Sequence, residues 1–291
     1  MERVAVLAHQ LKSLDGGLPQ LRHELAEAGI DDPIWYEVPK SKFAPKRVRQ
    51  AIKDGAELVI AWGGDGMVQR CINVLAGTDV ALGIVPAGTA NVLATNLGIP
   101  QDLGEAVRIA LKGRERRIDV ATANGERFAV MGGLGFDARL IDATAKSAKR
   151  RFGKLAYMRT GAGAIQAPPM SLRVKIDGTK WFEGDATCVL VGNVGTSTGG
   201  LVVFPDAELD DGVLDVGVVT AEGALEWLRV LSRVARKKAA QSPFVHVTRA
   251  RKIDVKLKKK ALYEVDGGTR TKVTRLRFTV EPTALTVRVP T

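Results

Sequence analysis

The sequence predicts an α/β domain with a parallel sheet over residues 1–120, followed by a largely antiparallel β domain over residues 121–291. Two observations predict this order. Residues 1–120 alternate short apolar runs with segments of helical periodicity, whereas segments of period two, separated by Gly, Asp and Pro turns, dominate the remainder. The charge divides at the same place: residues 1–120 hold 15 basic and 15 acidic side chains, and residues 121–291 hold 28 and 17.

The elements of the first domain follow from the pattern of apolar residues. Three apolar runs predict buried strands at residues 3–8, 58–62 and 81–85. Two segments with apolar residues at helical spacing predict helices over residues 17–28 and 44–54, and Pro45 and Gly55 mark the start and the end of the second. Strands that alternate with helices form parallel sheets, which bind their ligands at the carboxyl ends of the strands.

Alternating apolar residues predict the strands of the second domain. The clearest examples lie at residues 172–176, 251–258 and 276–280. Two helical segments interrupt them, at residues 136–164 and 224–239. The second segment has leucines near one face and basic residues around them, which is typical of a membrane-surface helix or of a helix packed on a sheet. A last strand over residues 285–289 either stays in this domain or returns to the first.

The composition favours a cytoplasmic protein. No apolar stretch reaches the roughly 20 residues that a membrane span needs, and the N-terminal apolar run is too short for a signal peptide. Cys71 and Cys188 lie far apart in apolar surroundings, which predicts reduced core thiols. The net charge of +11 comes entirely from the second domain, which predicts peripheral association with the anionic inner face of a membrane. A merely solvated positive face is the alternative. No nucleic acid is expected, because the basic strands lack interleaved aromatic residues for base stacking.

Two glycine-rich turns form the first predicted site. The turn of residues 63–66, Gly-Gly-Asp-Gly, follows a buried strand and precedes a helix, so that its amides and the helix N-terminus are suited to bind phosphate. A hairpin turn, the structural alternative, does not fit between a strand and a helix. The turn of residues 88–91, Gly-Thr-Ala-Asn, repeats the arrangement one strand later, with Thr89 and Asn91 as polar groups for phosphate or ribose. Asn91 is equally suited to cap a helix.

These turns resemble the nucleotide-binding motifs of the diacylglycerol kinase catalytic-domain family, which includes bacterial lipid kinases and sphingosine kinases. Residues 133–138, Gly-Leu-Gly-Phe-Asp-Ala, and residues 205–214, Pro-Asp-Ala-Glu-Leu-Asp-Asp-Gly-Val-Leu, resemble two further segments, so the resemblance covers nearly the whole chain. It implies an NAD kinase-like α/β domain and a C-terminal antiparallel β-sandwich. It also implies transfer of the γ-phosphate of ATP to a hydroxyl of diacylglycerol or a related lipid.

The resemblance also implies site residues. The expected nucleotide contacts are Gly63, Gly64, Asp65, Gly66, Met67, Gln69, Gly88, Thr89 and Asn91. In bacterial members a Mg²⁺ site uses an Asp-Asp-Gly turn, which corresponds here to Asp211 with the backbone oxygens of Leu209 and Val213. One carboxylate with backbone carbonyls suits a hard cation. An acidic β-turn without a metal is the alternative.

The chain departs from the family pattern at four places. His9-Gln10 stands in place of Asn-Pro after the first strand, and Val38 and Met67 stand in place of threonines. Gly268 stands in place of the glutamate proposed as the general base of bacterial members. The carboxylate that these members use is therefore absent from its expected position.

Another carboxylate has to replace this glutamate if the chain is an active kinase. We expect Asp266 or Asp65 to be the catalytic residue, with Glu264 as a further candidate, and we place Asp266 first because it lies in the same turn. Two alternatives stay open: a member that binds nucleotide or lipid without catalysis, and a kinase for a soluble substrate of the NAD kinase type. The oligomeric state is also open, with a homodimer as one alternative.

Overall fold

The computed structural model describes residues 3–135 and 168–291. The chain forms two compact units, Met1–Val120 together with Glu281–Thr291, and Ala121–Val280. The predicted helical segment 136–164 lies outside the described residues. Within residues 3–135 and 168–291, no helix is long and apolar enough to cross a bilayer.

The first unit contains a parallel sheet. Its strands are β1 (Val4–His9), β2 (Ile34–Val38), β3 (Leu58–Gly63) and β4 (Ala81–Pro86), with the start of β5 (Arg114–Ala123) and the end of β16 (Val273–Val289). Its helices are α1 (Gly17–Glu27), α2 (Ala44–Lys53), α3 (Asp65–Leu75), α4 (Val92–Asn96) and α5 (Leu103–Lys112). The order β2-β1-β3-β4-β16 consists of parallel pairs.

Burial explains which of these strands the sequence predicted. Every residue of β3 and β4 is buried, as expected for central strands of a parallel sheet, and both appear in the sequence as continuous apolar runs. The edge strand β2 is mostly half-buried and has no such run, so it was not predicted. The predicted last strand, residues 285–289, is the end of β16 and belongs to the first unit.

The described part of the second unit consists of two antiparallel sheets and a helix. Its further strands are β6 (Glu126–Phe128), β7 (Met131–Leu134), β8 (Met170–Ile176), β9 (Thr179–Ala186), β10 (Cys188–Gly192), β11 (Leu214–Val219), β12 (Val245–Ala250), β13 (Lys252–Ala261), β14 (Tyr263–Val265) and β15 (Gly268–Thr269). Helix α6 (Gly223–Ala235) follows β11. The first sheet has the order β9-β8-β13-β16, with β5 and β6 beyond β16, and the second has the order β12-β11-β10-β7-β14-β15.

The two sheets enclose one apolar core. Val174, Val255 and Phe278 of the first sheet belong to the same buried cluster as Val191 and Val216 of the second. Because side chains alternate between the two faces of a strand, each sheet gives one face to this core and the other to solvent or to a helix. The second unit is therefore a β-sandwich, as the family resemblance implied.

Candidate functional site

The candidate site of the first unit lies at the carboxyl ends of its parallel strands. Strand β1 pairs with β2 on one side and with β3 on the other, so the chain changes direction across the sheet at this point. Open α/β sheets bind ligands at such a switch point. His9 ends β1 and lies beside Gly63: a methyl group at residue 63 would be 3.7 Å from Cβ of His9. Burial, followed by the charge of Lys12, lowers the pKa of His9.

The two glycine turns touch each other through their backbones. A methyl group at residue 88 would lie 2.4 Å from Cα of Gly64, and one at residue 64 would lie 3.1 Å from Cα of Gly88. The N–H of Ala87 also donates to the carbonyl of Gly63 at 2.9 Å. Only glycine permits so close an approach of two backbones. The structure thus brings together the turns that the sequence predicted to line one cleft.

Asn91 holds the second turn in shape. Its Oδ1 accepts the N–H of Gly88 at 3.0 Å, and its Nδ2 donates to the carbonyls of Gly88 at 2.9 Å and Pro86 at 3.3 Å. The residue is buried and has a φ of 48°, a left-handed conformation that asparagine tolerates better than most residues. Asn91 therefore shapes the turn, and the neighbouring Thr89 is the exposed polar residue of the pair.

Asp65 connects the first turn to the second. It begins α3, and its Oδ1 accepts the N–H of Val92, the first residue of α4, at 2.5 Å. Burial raises the pKa of Asp65, and backbone N–H donors including that of Val92 counteract part of this rise. This predicted catalytic residue is therefore placed as a clamp between the two turns, where its carboxylate satisfies an N–H group that α4 cannot satisfy itself.

The remaining predicted nucleotide contacts differ in exposure. Gly66 is exposed, whereas Met67 and Gln69 are buried. The N–H of Met67 donates to the carbonyl of Gly64 at 2.8 Å, and a methyl group at residue 63 would lie 2.7 Å from its Cβ. The side chain of Met67 thus packs against Gly63 from inside, and the exposed part of the predicted site consists of Gly66 and Thr89.

Sequence reasoning missed Ser41 at this site. Its Oγ would lie 3.7 Å from a methyl group at residue 66, which places a hydroxyl beside the exposed glycine of the first turn. Ser41 precedes α2, the region where the family pattern has a threonine that the sequence comparison assigned to Val38. The buried Val38 ends β2, three residues earlier. A search for any hydroxyl between β2 and α2 would have found Ser41.

Asp266 lies in the second unit, in the turn between β14 and β15. Its carboxylate accepts backbone N–H groups of Ala129 at 3.3 Å, Val130 at 3.1 Å and Met131 at 3.0 Å. Its own N–H donates to the carbonyl of Met131 at 2.8 Å. These contacts give Asp266 a structural role, because it fixes the segment between β6 and β7. No contact among the described residues tests the predicted role as a general base.

The family pattern has glutamate at position 268, and in this chain Arg270 lies where the side chain of that residue would begin. A methyl group at residue 268 would lie 2.4 Å from Nη1 of Arg270. Arg270 is held in place by Glu126, with nitrogen-to-oxygen distances of 2.7 and 2.6 Å. This hydrogen-bonded pair raises the pKa of Arg270. The position that Cβ of any larger residue at 268 would take is therefore occupied by the guanidinium group of Arg270.

The predicted metal-binding turn lies between β10 and β11. Oδ1 of Asp211 accepts the N–H of Val213 at 3.1 Å, and Oδ2 lies 3.6 Å from Nη1 of Arg249. Arg249 also contacts Asp215, at 3.2 Å. Residues 3–135 and 168–291 contain no cluster of three or more His, Cys, Asp or Glu side chains suited to a metal. The predicted set has a single carboxylate together with the carbonyls of Leu209 and Val213, and it stays a prediction.

An apolar pocket lies between α6 and the second sheet. Helix α6 contributes Trp227, Val230, Leu231 and Val234, and the strands contribute residues that include Leu190 and Val219. Their neighbours in the strands, Val189 and Val218, belong to the sandwich core. The pocket therefore lies on the side of the second sheet that faces away from the core. The sequence predicted that segment 224–239 is either a membrane-surface helix or a helix packed on a sheet. This face of α6 packs on the sheet.

Family models match both parts of the chain. Residues 14–123 match the diacylglycerol kinase catalytic domain, and residues 130–289 match the YegS C-terminal NAD kinase beta sandwich-like domain. A probable lipid kinase YegS-like of Klebsiella pneumoniae is 34% identical over 211 residues, 70% of each chain. The diacylglycerol kinase of Bacillus subtilis is 30% identical over 255 residues, which are 86% of this chain and 83% of that protein.

Solved structures agree on the fold. A diacylglycerol kinase from Bacillus anthracis aligns over 99% of this chain and 97% of its own, with a TM-score of 0.77 and 24% identity. An NAD kinase from Archaeoglobus fulgidus, solved in complex with ATP, aligns over 98% and 93%, with a TM-score of 0.54 and 13% identity. A parallel sheet with paired glycine turns and a β-sandwich unit define the class of NAD kinase-like folds. Within that class, the chain belongs to the diacylglycerol kinase family of lipid kinases.

Proposed function

We propose that the protein transfers the γ-phosphate of ATP to a hydroxyl of diacylglycerol or a related lipid. The observation that carries this proposal is the backbone contact between Gly64 and Gly88 at the carboxyl ends of β3 and β4. It gives a parallel sheet of the lipid kinase family a narrow, side-chain-free turn at the position where such sheets bind phosphates.

The first turn is suited to hold the phosphates of ATP. Helix α3 begins at Asp65, directly behind the turn, and the partial positive charge of its N-terminus attracts anions. Gly66 has no side chain to keep a phosphate from the backbone, and the hydroxyls of Ser41 and Thr89 are available as donors nearby. ATP supplies the phosphoryl group, and the residues of both turns bind and orient it.

Asp211 is suited to hold Mg²⁺ together with the backbone oxygens of Leu209 and Val213. One carboxylate and two carbonyls would give an all-oxygen donor set, which suits a hard cation. When bound, Mg²⁺ would supply positive charge for phosphoryl transfer. Arg249 lies 3.6 Å from Asp211 and 3.2 Å from Asp215, so its contact with Asp211 would compete with the cation.

The missing glutamate reduces the rate of this reaction but does not exclude it. Phosphoryl transfer depends mainly on positioning and on charge neutralisation, and the loss of a general base costs roughly 10²- to 10⁴-fold. Asp65 takes part by positioning, because its carboxylate joins the two turns. Its buried position raises its pKa, which makes it a better proton acceptor than an exposed aspartate and keeps it as the candidate base.

The lipid substrate is suggested by the similar proteins, which are named diacylglycerol kinase and probable lipid kinase. These names favour a lipid over a soluble substrate of the NAD kinase type. Binding without catalysis is the second candidate function, and Gly268 with the adjacent Arg270 is the observation that favours it.

One assay separates these functions. Purified protein is incubated with γ-labelled ATP and Mg²⁺, in parallel reactions that contain diacylglycerol in mixed micelles, a total lipid extract, or NAD. We expect label in phosphatidic acid or another lipid phosphate. Label in NADP alone would establish the soluble-substrate kinase. Binding of ATP without any labelled product would establish the non-catalytic member and refute the proposed activity.

A further inference from the structure

The outer face of α6 exposes apolar side chains. Leu225 is 74% exposed and Leu228 is 50% exposed, and both lie in the first two turns of the helix. Most large apolar side chains of the described chain are buried, so two exposed leucines one turn apart form a local apolar patch. The fold does not need them there, because other residues of α6 make its contact with the sheet.

The inner face of α6 makes that contact with a different set of residues. Trp227, Val230, Leu231 and Val234 face the second sheet and line the apolar pocket, while Leu225 and Leu228 are not among the lining residues. The helix therefore has two apolar surfaces. One is satisfied by the sheet, and the described residues leave the other open to solvent.

Basic residues follow the exposed leucines along the helix and just past its end. Five cations lie in residues 222–241, against two carboxylates: Arg229, Arg233, Arg236, Lys237 and Lys238 against Glu222 and Glu226. Glu226 is used within the helix, because its Oε2 accepts the N–H of Glu222 at 2.7 Å. Exposed leucines beside a cluster of lysine and arginine are the pattern of helices that lie in the interface of an anionic bilayer.

We propose that the outer face of α6 docks on an anionic phospholipid bilayer, with Leu225 and Leu228 entering the interface and the basic residues contacting the headgroups. This proposal rests on the proposed lipid kinase function and names the surface that meets the membrane.

A second basic surface lies on the opposite side of the sandwich. Lys256 of β13 is in register with Arg275 of β16 and Arg173 of β8, on the face of the first sheet that points away from the core. Arg173 and Arg275 pair there with Glu183 and Asp254. None of the exposed large apolar residues of the described chain lies on this face. It offers charge without an apolar group, and a membrane cannot contact it and α6 at the same time.

Vesicle binding by the full chain tests the proposal. The assay uses phosphatidylcholine vesicles with and without about one-third phosphatidylglycerol, and neither ATP nor diacylglycerol, so that it does not depend on kinase activity. One variant carries Leu225→Ser and Leu228→Ser, and a second carries Arg229→Gln, Arg236→Gln and Lys238→Gln. The control removes the same charge from the opposite face, with Lys256→Gln, Lys258→Gln and Arg277→Gln.

Both α6 variants are expected to bind anionic vesicles at least about tenfold more weakly than the parent chain, and the control to stay within about threefold. Equal losses in the control and the α6 charge variant, or unchanged binding by both α6 variants, would overturn the proposal. It would also be overturned if light scattering showed that the leucine variant separates a dimer while vesicle binding persists. A chain that phosphorylates dispersed short-chain diacylglycerol but ignores vesicles would overturn the docking proposal and leave the proposed function intact.

Discussion

The contact between Gly64 and Gly88 makes Gly88→Ala a sharp perturbation of the candidate site. The added methyl group would lie 2.4 Å from Cα of Gly64 and 2.6 Å from Oδ1 of Asn91, where ordinary contacts lie at 3.4–4 Å. The backbone atom cannot rotate away, and Oδ1 of Asn91 accepts the N–H of Gly88 itself. The two turns therefore have to separate by about 1 Å.

This separation has a predictable size. Overpacking of a buried contact costs roughly 1–3 kcal/mol, and we expect the upper half of that range because both neighbours are fixed. For a unit of this length the midpoint of thermal unfolding should fall by roughly 5–10 °C. Affinity for ATP should fall with it, since the phosphate-binding turn moves. Calorimetric unfolding and titration with ATP measure the two effects.

Gly184→Ala is the matched control for this change. The glycine lies in β9, and its new methyl group would meet Cζ of Phe182 at 3.5 Å, an ordinary contact. Its effect on the free energy of unfolding should stay within about 0.5 kcal/mol. If Gly88→Ala behaved like this control, with unchanged melting temperature and unchanged ATP affinity, the reasoning on the paired turns would be refuted.

Three further predictions concern the clamp, the filled glutamate position and the cysteines. Asp65→Ala should lower the free energy of unfolding by about 1 kcal/mol, as the loss of a helix cap does. Asp65→Asn keeps an acceptor for the N–H of Val92 and should retain both stability and ATP binding. A stable Asn variant that binds ATP but transfers no phosphate would show that the carboxylate is catalytic. Gly268→Ala should cost at most about 1 kcal/mol, because its methyl group would lie 2.4 Å from Nη1 of Arg270, the end of a flexible side chain. This loss should largely disappear in an Arg270→Ala background. Additive losses in the double-mutant cycle would contradict the contact. Burial raises the pKa of Cys71 and Cys188 to about 12. Neither thiol should therefore react with a thiol reagent near neutral pH until the protein is denatured. Rapid labelling of the native chain would argue against their burial.

The fold was largely predictable because its central strands are buried on both faces. The predicted strands 58–62 and 81–85 differ from β3 and β4 by one residue each, and the predicted helices 17–28 and 44–54 end one residue beyond α1 and α2. A continuous apolar run or a helical spacing is a local signal, and a sequence contains it directly. The half-buried edge strand β2 has a weaker signal and was missed.

The candidate site was predictable in its backbone and not in its side chains. Glycine at positions 64 and 88 is required by a close approach that strand and turn patterns suggest. The partner of Asp65 is Val92, 27 residues later, and the partners of Asp266 lie 135 to 137 residues earlier. Such pairings are set by the sheet topology, and no local pattern contains them. For this reason two predicted catalytic carboxylates appear here as clamps on the backbone.

The placement of Arg270 is another consequence that only the fold reveals. In the sequence, Gly268 reads as the loss of a carboxylate. In the structure its space is occupied by a guanidinium that Glu126 holds from the other end of the unit's sequence. A motif comparison considers position 268 alone. In the folded chain, close packing allows a neighbouring side chain such as Arg270 to lie where a larger residue would have been.

Binding of ATP by Gly66→Ala tests most directly whether the first turn is the phosphate site. Gly66 is exposed, and a methyl group there would approach only Oγ of Ser41, at 3.7 Å, so the fold should be unaffected. The same methyl group would keep phosphate from the turn and the N-terminus of α3. We predict an unchanged or slightly raised melting temperature, because alanine is favoured over glycine in a helix, with ATP bound at least about tenfold more weakly. An unchanged dissociation constant for ATP would contradict the assignment.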